Sequence, residues 1–364
     1  MDLIVCSNDN SFGPAVRDCA NRGNFDFTIS FERLLFDVTP SAVFLVLVTR
    51  RLDSLVRASR TVHGKELQAL KLGLTVTHAI LRVVLMCITA SAGAWLRTLF
   101  VAADALGLVA AVLVIVLSAL EHSRSPRPSI LLGLYLCLTT PLDAVSSRTL
   151  WLAAGNSVAR LGASIRTAAT VFKLVIALAE AWPKSRWFTS SHDPATDSPE
   201  NVAGPYSLAT FSWLYPLFLT GYRKAITTGD LFTLDKSLSS ATVREKLQAF
   251  GLNSAVSHDT KSRFSLLGSL SKALIASFFN PILPRLVLAT LTLFQPLLIQ
   301  SVTQYLDKPA IDRRSEVGYG LIAAAGLLHI GIALSGAFYW YLHERYPSSF
   351  ALFRIILSAT RGAG

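Results

Sequence analysis

Residue patterns that could support catalysis are few in this sequence. Ser269–Lys272 has the S-x-x-K spacing, which places a hydroxyl nucleophile near an amine base, but the motifs that usually accompany it are absent. The sequence contains neither a G-x-x-x-x-G-K-[S/T] phosphate loop nor a G-x-G-x-x-G nucleotide turn. We therefore expect no catalytic residue, no bound cofactor and no metal ligand in this chain.

Ionisable side chains inside apolar stretches form a second group of candidates. A charge in hydrocarbon is costly, so each must face a partner or the interior of a helix bundle. The candidates for intramembrane pairing are Arg82, Asp104, Lys173 and Glu180, together with Asp37. Arg166 and Glu180 lie near the ends of their segment and could instead extend to the membrane surface. The pattern favours ion pairs between helices, and a path for protons or substrate is the alternative.

Long apolar segments must position these residues. Of the 364 residues, 52% are hydrophobic and 16% are charged, and the mean hydropathy is +0.47. Soluble domains carry about 25% charged residues. Seven segments approach the length that crosses a bilayer: Phe31–Val48, Leu72–Ala94, Leu99–Leu120, 129–145, Val158–Trp182, Leu283–Leu306 and Gly318–Leu342. The sequence thus predicts an all-α, multi-pass membrane protein rather than a soluble enzyme.

The cations between these segments predict an orientation. The loops after the first five segments are alternately rich and poor in Lys and Arg, so the N-terminus is predicted to be extracytoplasmic and the interval 183–280 cytoplasmic. The net charge of +11 then reflects topology, and we expect no nucleic-acid partner. Cys6 and Cys19 could pair if the N-terminus faces an oxidising compartment.

The interval 183–280 carries a concentration of aromatic residues next to Arg223 and Lys224. These predicted membrane-interface residues are Tyr206, Phe211, Trp213, Tyr215 and Phe218. Aromatic rings beside cations are typical of a segment that lies among lipid headgroups, and Pro216 is expected to kink it. A second amphipathic segment, Phe264–Phe279, is predicted to run along the membrane.

The segment Tyr206–Leu234 resembles the linker of subfamily C ABC transporters, the multidrug-resistance-associated type. The family core T-F-S-W-x-x-P-L is found at Thr210–Leu217, and a glycine, a basic pair and a D-L pair follow at Gly221, Arg223-Lys224 and Asp230-Leu231. Upstream, Phe25–Thr28, Phe31-Glu32 and Pro40-Ser41 are similar to the start of the five-helix N-terminal domain of fungal members.

This resemblance implies a domain organisation in five parts. They are an extracytoplasmic N-terminus (1–30), a five-helix transmembrane domain (31–182), a cytoplasmic lasso linker with amphipathic helices (183–280), the first two helices of an ABC type-1 transmembrane domain (281–345), and an atypical tail (346–364). One position bears on substrate. Some members carry a lysine four residues after a proline in the first span beyond the linker, and Gln300 is the matching, neutral residue here.

The resemblance also implies ATP-driven export of amphipathic organic compounds. Complete members bind ATP and magnesium, but this sequence lacks the motifs for them, so we expect a truncated transporter without ATPase activity of its own. The expected partners are the lipid bilayer, the missing transporter portion or another membrane protein, and an amphipathic substrate, in the plasma or vacuolar membrane. The alternatives are a non-enzymatic membrane module that binds partners, or a non-functional fragment.

Overall fold

The computed structural model describes residues 3–13, 16, 19, 22, 26–57, 65–91, 94–125, 128–182, 198–233, 241–242, 245, 281–309, 311 and 315–361. The chain divides into two compact units, Met1–Thr196 with Asn201–Tyr206, and Asp197–Glu200 with Ser207–Gly364. Within the described ranges the long elements are helices, and Leu3 and Ala154 form an isolated β-bridge. The segments Phe264–Phe279 and Ser269–Lys272 lie outside the described residues.

The described residues of the first unit contain five long helical segments. The first is continuous from α1 (Ile29–Phe31) through a π-helical turn (Glu32–Val38) to α2 (Thr39–Val56), and the others are α3 (Lys65–Thr89), α4 (Ala94–Arg124), α5 (Ile130–Ala153) and α6 (Ser157–Ala181). Side chains of Thr28, Ser129 and Asn156 accept hydrogen bonds from the first turns of α1, α5 and α6, which satisfies amide groups that have no partner within the helix.

The apolar interior of this unit is narrow, and its outer faces are apolar as well. The ring of Phe44 stacks on Tyr135 with 4.1 Å between centroids, and Leu117 is fully buried nearby. Val46 and Leu178 are each 63% exposed on the outside. Apolar residues on the outside of a bundle fit a lipid environment, because lipid chains are as apolar as the leucines that face them.

Six helices in the described part of the chain are long and apolar enough to cross a membrane. They are Glu66–Thr89, Arg97–Arg124, Ile130–Ala153, Ser157–Ala181, Ile282–Leu306 and Val317–Glu344. The expected segment Phe31–Val48 is helical but is not among them, because Glu32, Arg33 and Asp37 lie inside it. The segment expected at 129–145 is longer than predicted, because α5 continues through Pro141 as far as Ala153.

The region between the two sets of long helices contains short elements. These are α7 (Pro199–Val202), α8 (Pro205–Thr210), a 3-10 turn (Ser212–Leu214), α9 (Tyr215–Arg223) and a second 3-10 turn (Thr228–Asp230). The expectation that Pro216 kinks a helix is wrong. Pro216 lies in the first turn of α9, where its missing amide hydrogen costs nothing, and the break is at Phe211, whose φ of 54° is left-handed.

Two long helices, α10 (Ile282–Leu306) and α11 (Ser315–Arg361), pack against each other in the second unit. Gly331 allows a close approach, since a Cβ atom built there would lie 3.0 Å from the Leu291 Cδ1 atom. The guanidinium of Arg285 lies 5.1 Å from the ring centroid of Tyr339. Helix α11 continues beyond residue 345, the predicted end of the transport-domain segment.

Candidate functional site

The centre of the first unit is a chain of buried ion pairs. Arg166 on α6 joins two carboxylates from other helices, since its Nη2 donates to Asp37 Oδ1 at 2.6 Å and to Asp143 Oδ1 at 3.1 Å. Both carboxylates and the guanidinium are more than nine-tenths buried. Arg166 therefore connects the π-helical turn of the first segment to α5.

Further cations lie at both ends of this chain of ion pairs. On the Asp37 side, Arg33 Nη1 lies 2.9 Å from Asp37 Oδ2 and 3.5 Å from Asp104 Oδ1, and its guanidinium stacks 3.9 Å from the Phe100 ring centroid. On the Asp143 side, Oδ2 is contacted by Lys173 Nζ at 2.6 Å and by Arg82 Nη2 at 3.4 Å. The chain of ion pairs thus includes side chains from all five helical segments described above.

Two other buried carboxylates pair nearer the ends of the helices. Glu180 accepts from Lys71 Nζ at 2.8 Å and also from the Ser118 hydroxyl. Glu121 Oε1 accepts from Arg51 Nε at 2.7 Å and from the Ser129 hydroxyl at 3.1 Å. These contacts connect α3 to α6 and α2 to α4, so polar contacts occur along much of the bundle interior.

A polar cap closes one end of the bundle. Cys6 and Cys19 form a disulfide, and Arg22 lies 2.8 Å from carboxylate oxygens of both Asp9 and Asp26. Burial alone lowers the pKa of Arg22, but the hydrogen bonds and negative charges of Asp26 and Asp9 outweigh it and raise the pKa above its usual value. The structure therefore contains the cysteine pairing that the sequence left open.

The cap is anchored to α5. Asp26 Oδ1 accepts from Thr149 Oγ1 at 3.1 Å and from Arg148 Nη1 at 3.3 Å. Thr149 Oγ1 also lies 2.6 Å from Glu32 Oε1. The backbone amide of Ile4 donates to the carbonyl of Ala153 at 2.8 Å, beside the bridge between Leu3 and Ala154. The chain before the first helix is thus tied to the end of α5.

The four residues predicted to pair within the membrane lie in different parts of this network. Arg82 and Lys173 meet on Asp143, Asp104 faces Arg33, and Glu180 faces Lys71. Arg166, for which extension to the surface was an alternative, is 2% exposed and lies at the centre.

Three important members of the network were not among the residues predicted to pair: Arg33, Asp143 and Arg166. Arg33 and Asp37 are four residues apart and were readable as a local pair, and Arg166, Lys173 and Glu180 recur every seven residues on one face. No sequence signal links Asp143 to these cations, which come from α3 and α6.

The aromatic residues of the linker segment have different surroundings. In the first unit, the Tyr206 hydroxyl donates to the Gly133 carbonyl at 2.9 Å, and burial raises the pKa of this phenol to about 12. In the second unit, the ring centroids of Phe211 and Tyr341 are 6.3 Å apart, and those of Trp213 and Phe232 are 6.4 Å apart.

Tyr215 and Phe218 are 65% and 63% exposed, so they lie on an open face of α9. Gln300 is exposed on α10, four residues after Pro296. In the described part of the chain, no group of three or more His, Cys, Asp or Glu side chains could hold a metal ion.

Comparison with known proteins shows what this chain is similar to. Residues 3–161 match the ABC transporter TMD0 domain. The chain is 38% identical over 353 residues to the ABC transporter ALT5 of Alternaria alternata, which covers 95% of this chain and 22% of that protein. It is 35% identical over 350 residues to the ABC transporter FGM5 of Gibberella zeae, covering 95% of this chain and 23% of the relative.

A third relative is the ABC multidrug transporter B of Aspergillus fumigatus, 30% identical over 337 residues, which covers 93% of this chain and 23% of the relative. The chain thus spans between a fifth and a quarter of the length of these curated relatives. The first unit thus contains a match to the ABC transporter TMD0 domain, and nearly the whole chain is similar to a part of fungal ABC transporters.

Proposed function

We propose that this chain forms the N-terminal part of an ATP-driven exporter of amphipathic organic compounds. In this proposal the first unit is an accessory membrane domain, the segment after it is the linker, and α10 and α11 begin the transport domain. The observation that carries the proposal is similarity over 95% of this chain to ABC transporters of which it spans about 22%. ATP and magnesium would bind to parts of the transporter that this chain does not include.

A chimera tests this function. This chain replaces the matching segment of ALT5, and inside-out vesicles are assayed for ATP-dependent accumulation of a fluorescent amphipathic conjugate. We expect accumulation that vanadate abolishes in the chimera, and none in vesicles that contain this chain alone. A chimera that reaches the membrane and hydrolyses ATP, but accumulates no more conjugate than this chain alone, would contradict the proposal.

Gln300 is proposed to face the substrate. Its support is its exposure on α10 four residues after Pro296, at the position that matches a substrate-contacting lysine in some family members. A neutral amide lacks the attraction of a cation for anions. In the chimera, Gln300→Lys should lower the KM for an anionic conjugate relative to a neutral one, whereas Gln300→Ala should not. Equal effects of both variants on both compounds would argue against this role.

The N-terminus is proposed to lie outside the cytoplasm, in a plasma or vacuolar membrane. Two observations support this orientation: the disulfide between Cys6 and Cys19, which an oxidising compartment favours, and the alternation of cations between the helices. In intact cells that carry the chain in the plasma membrane, an impermeant phosphine followed by an impermeant maleimide should label these cysteines. Labelling only after the cells are permeabilised would reverse the orientation.

A second candidate function is a non-enzymatic membrane module that binds another protein. It is favoured by the first unit, which has its own apolar core, ion-pair network and disulfide. Such a module predicts that this chain, expressed alone, co-purifies with the rest of a relative expressed as a separate polypeptide. If only the isolated chain is recovered, the result would contradict the binding module and favour the first proposal, in which this chain is part of one continuous transporter.

A further inference from the structure

Cations outnumber carboxylates in the central ion-pair chain of the first unit. The cations are Arg33, Arg82, Arg166 and Lys173, and the carboxylates are Asp37, Asp104 and Asp143. All seven side chains are more than nine-tenths buried. With the usual charges, this group carries one excess positive charge in a place where water cannot screen it.

The three arginines also retain buried donors. Nη2 of Arg33, Nε of Arg82, and Nε and Nη1 of Arg166 have no hydrogen-bond partner among the described residues. Arg33 and Arg82 each lie next to Arg166, because Arg33 and Arg166 contact the two oxygens of Asp37, and Arg82 and Arg166 both contact Asp143. Buried donors of charged groups are costly when they lack an acceptor.

Asp104 Oδ1 also lacks a hydrogen-bond partner among the described residues, at 3.5 Å from Arg33 Nη1, whereas the carboxylates around the cluster are engaged elsewhere. Glu180 pairs with Lys71, and Asp26 pairs with Arg22 and Arg148. Glu32 directly precedes Arg33 in the sequence, but its Oε1 lies 2.6 Å from the Thr149 hydroxyl. In the described part of the bundle, no ion pair joins Glu32 to the four cations. The imidazole of His78 faces the Ala169 carbonyl through Nδ1. None of these groups accepts from the free guanidinium donors.

We propose that the five-helix unit binds one small monovalent inorganic anion, of the size and charge of chloride, at the guanidinium groups of Arg33, Arg82 and Arg166. One such ion would accept hydrogen bonds from the free N–H groups and cancel the excess charge. A single charge matches the imbalance of four cations to three carboxylates. The bound ion would stabilise the packing of the helices that carry these side chains.

Chloride dependence of stability is the first test. The purified full chain is unfolded thermally in detergent with chloride replaced stepwise by gluconate at constant ionic strength. We expect chloride to raise the unfolding midpoint saturably by a few degrees, and bromide to substitute for it, because a ligand stabilises the state that binds it. A midpoint that is the same at every chloride concentration would overturn the proposal.

Charge-neutral variants locate the effect. Arg82→Gln removes the excess charge while Asp143 keeps Arg166 and Lys173, so its midpoint should no longer depend on chloride. Arg148→Gln is the matched control outside the cluster, since Arg148 pairs with Asp26 and its side chain is 42% exposed, and it should keep the wild-type dependence. The same dependence in both variants would indicate a general salt effect and overturn the site.

Glu32→Gln separates the anion from the nearest alternative counter-charge. If the Glu32 carboxylate neutralises the excess positive charge, the unfolding midpoint of the wild type does not depend on chloride and that of Glu32→Gln does, which would contradict the proposal. If a bound anion neutralises this charge, the midpoints of both proteins depend on chloride. Should Arg82→Gln fail to fold, line broadening in the 35Cl NMR spectrum of the wild type, reversed by bromide, measures binding directly, and its absence counts against the site.

Discussion

The five-helix unit and the α10–α11 pair use helices of comparable length but bury them to different extents. Within the most apolar part of each helix, between 28% and 39% is buried in α3 to α6, compared with 0% in α10 and 11% in α11. The buried surface of the five-helix unit is rich in ion pairs and hydroxyl contacts. The described contact between α10 and α11 is made instead by a small residue, aliphatic side chains and a cation over an aromatic ring.

This difference shows what specifies a helix bundle in lipid. Apolar side chains gain little from meeting each other rather than lipid chains, so shape and polar contacts decide which helices assemble. In the five-helix unit, Arg166 contacts carboxylates on two other segments, so the packing of α6 against both is set by polar contacts. Among the described residues, the exposed faces of α10 and α11 carry no comparable network of buried ion pairs.

The largest effect is expected from breaking the centre of the ion-pair chain. Asp143→Asn removes the carboxylate shared by Arg82, Arg166 and Lys173 and leaves buried cations uncompensated. We expect the free energy of unfolding to fall by about 3–5 kcal/mol. Unfolding in a denaturing detergent gradient measures this change.

The control for this prediction is Asp53→Asn, which breaks a pair with Arg57 whose side chains are 66% and 77% exposed. Its expected cost is about 0–1 kcal/mol, because exposed pairs are solvated and screened. Equal costs for the two substitutions would mean that the buried network does not determine the stability of the five-helix unit.

Removing the disulfide should have the next largest effect. Cys6→Ser opens a link between residues 13 apart, and the unfolded chain gains entropy, so we expect a loss of about 3 kcal/mol. Cys87→Ser is the control, since Cys87 is a free cysteine, and it should change little. Unfolding under oxidising and reducing conditions checks the prediction, because reduction should destabilise the wild type and leave Cys6→Ser unaffected.

In the second unit, bulk at the helix contact should cost less. A Cβ atom at Gly331 would lie 3.0 Å from Leu291 Cδ1, so Gly331→Val forces the two helices apart, at an expected cost of about 1–3 kcal/mol. At Gly326 on the same helix, a Cβ atom would meet nothing within 4 Å, which makes Gly326→Val the matched control. If thermal unfolding shows the same loss of stability for both variants, Gly331 is not at the contact between α10 and α11.

Trp213→Ala should weaken attachment of the linker to the membrane. Trp213 is the largest of the aromatic residues predicted to lie at the interface, and its loss should cost about 1–2 kcal/mol of binding. The measurement is partitioning of a peptide of residues 198–233 into lipid vesicles, with exposed Thr233→Ala as the control. Unchanged partitioning of the tryptophan variant would remove the proposed anchor.

The smallest effect concerns Asp230. Hydrogen bonds from Lys224 and from Thr227 lower the pKa of this exposed carboxyl to about 2. Its contribution to local structure is therefore present above the ordinary carboxyl pKa and is lost as the pH falls through about 2. NMR titration of the Asp230 side chain should give this midpoint, and Lys224→Met should raise it, whereas Arg223→Met should not.

Sequence periodicity and length were sufficient for most of the helices. The apolar stretches that predicted α3, α4, α6 and α10 lie within or close to the observed bounds, because a bilayer-length run of apolar residues has few other solutions. The first segment was harder to assign. Its charged residues reduce its apolar character, and only their pairing partners on other helices explain how they are buried.

The ion-pair network could be predicted only in part. Residue type and position pointed to Arg82, Asp104, Lys173 and Glu180, since charges in apolar helices are unusual. The choice of partner depends on how helices far apart in sequence are rotated and packed. Asp37 and Arg166 are 129 residues apart, and no spacing rule connects them. The disulfide depended similarly on the compartment, which the residues alone did not determine.

The long separation between Asp37 and Arg166 has a consequence for synthesis in the cell. At about 5–20 residues per second, the ribosome needs roughly 6–26 s to proceed from Asp37 to Arg166, a separation of 129 residues. During this delay Arg33, four residues from Asp37 and 2.9 Å from it, can neutralise the carboxylate locally. The first segment can thus enter the membrane with Asp37 paired to Arg33. Asp37 can pair with Arg166 only after α6 has been synthesised, so the local pair forms before the pair between helices.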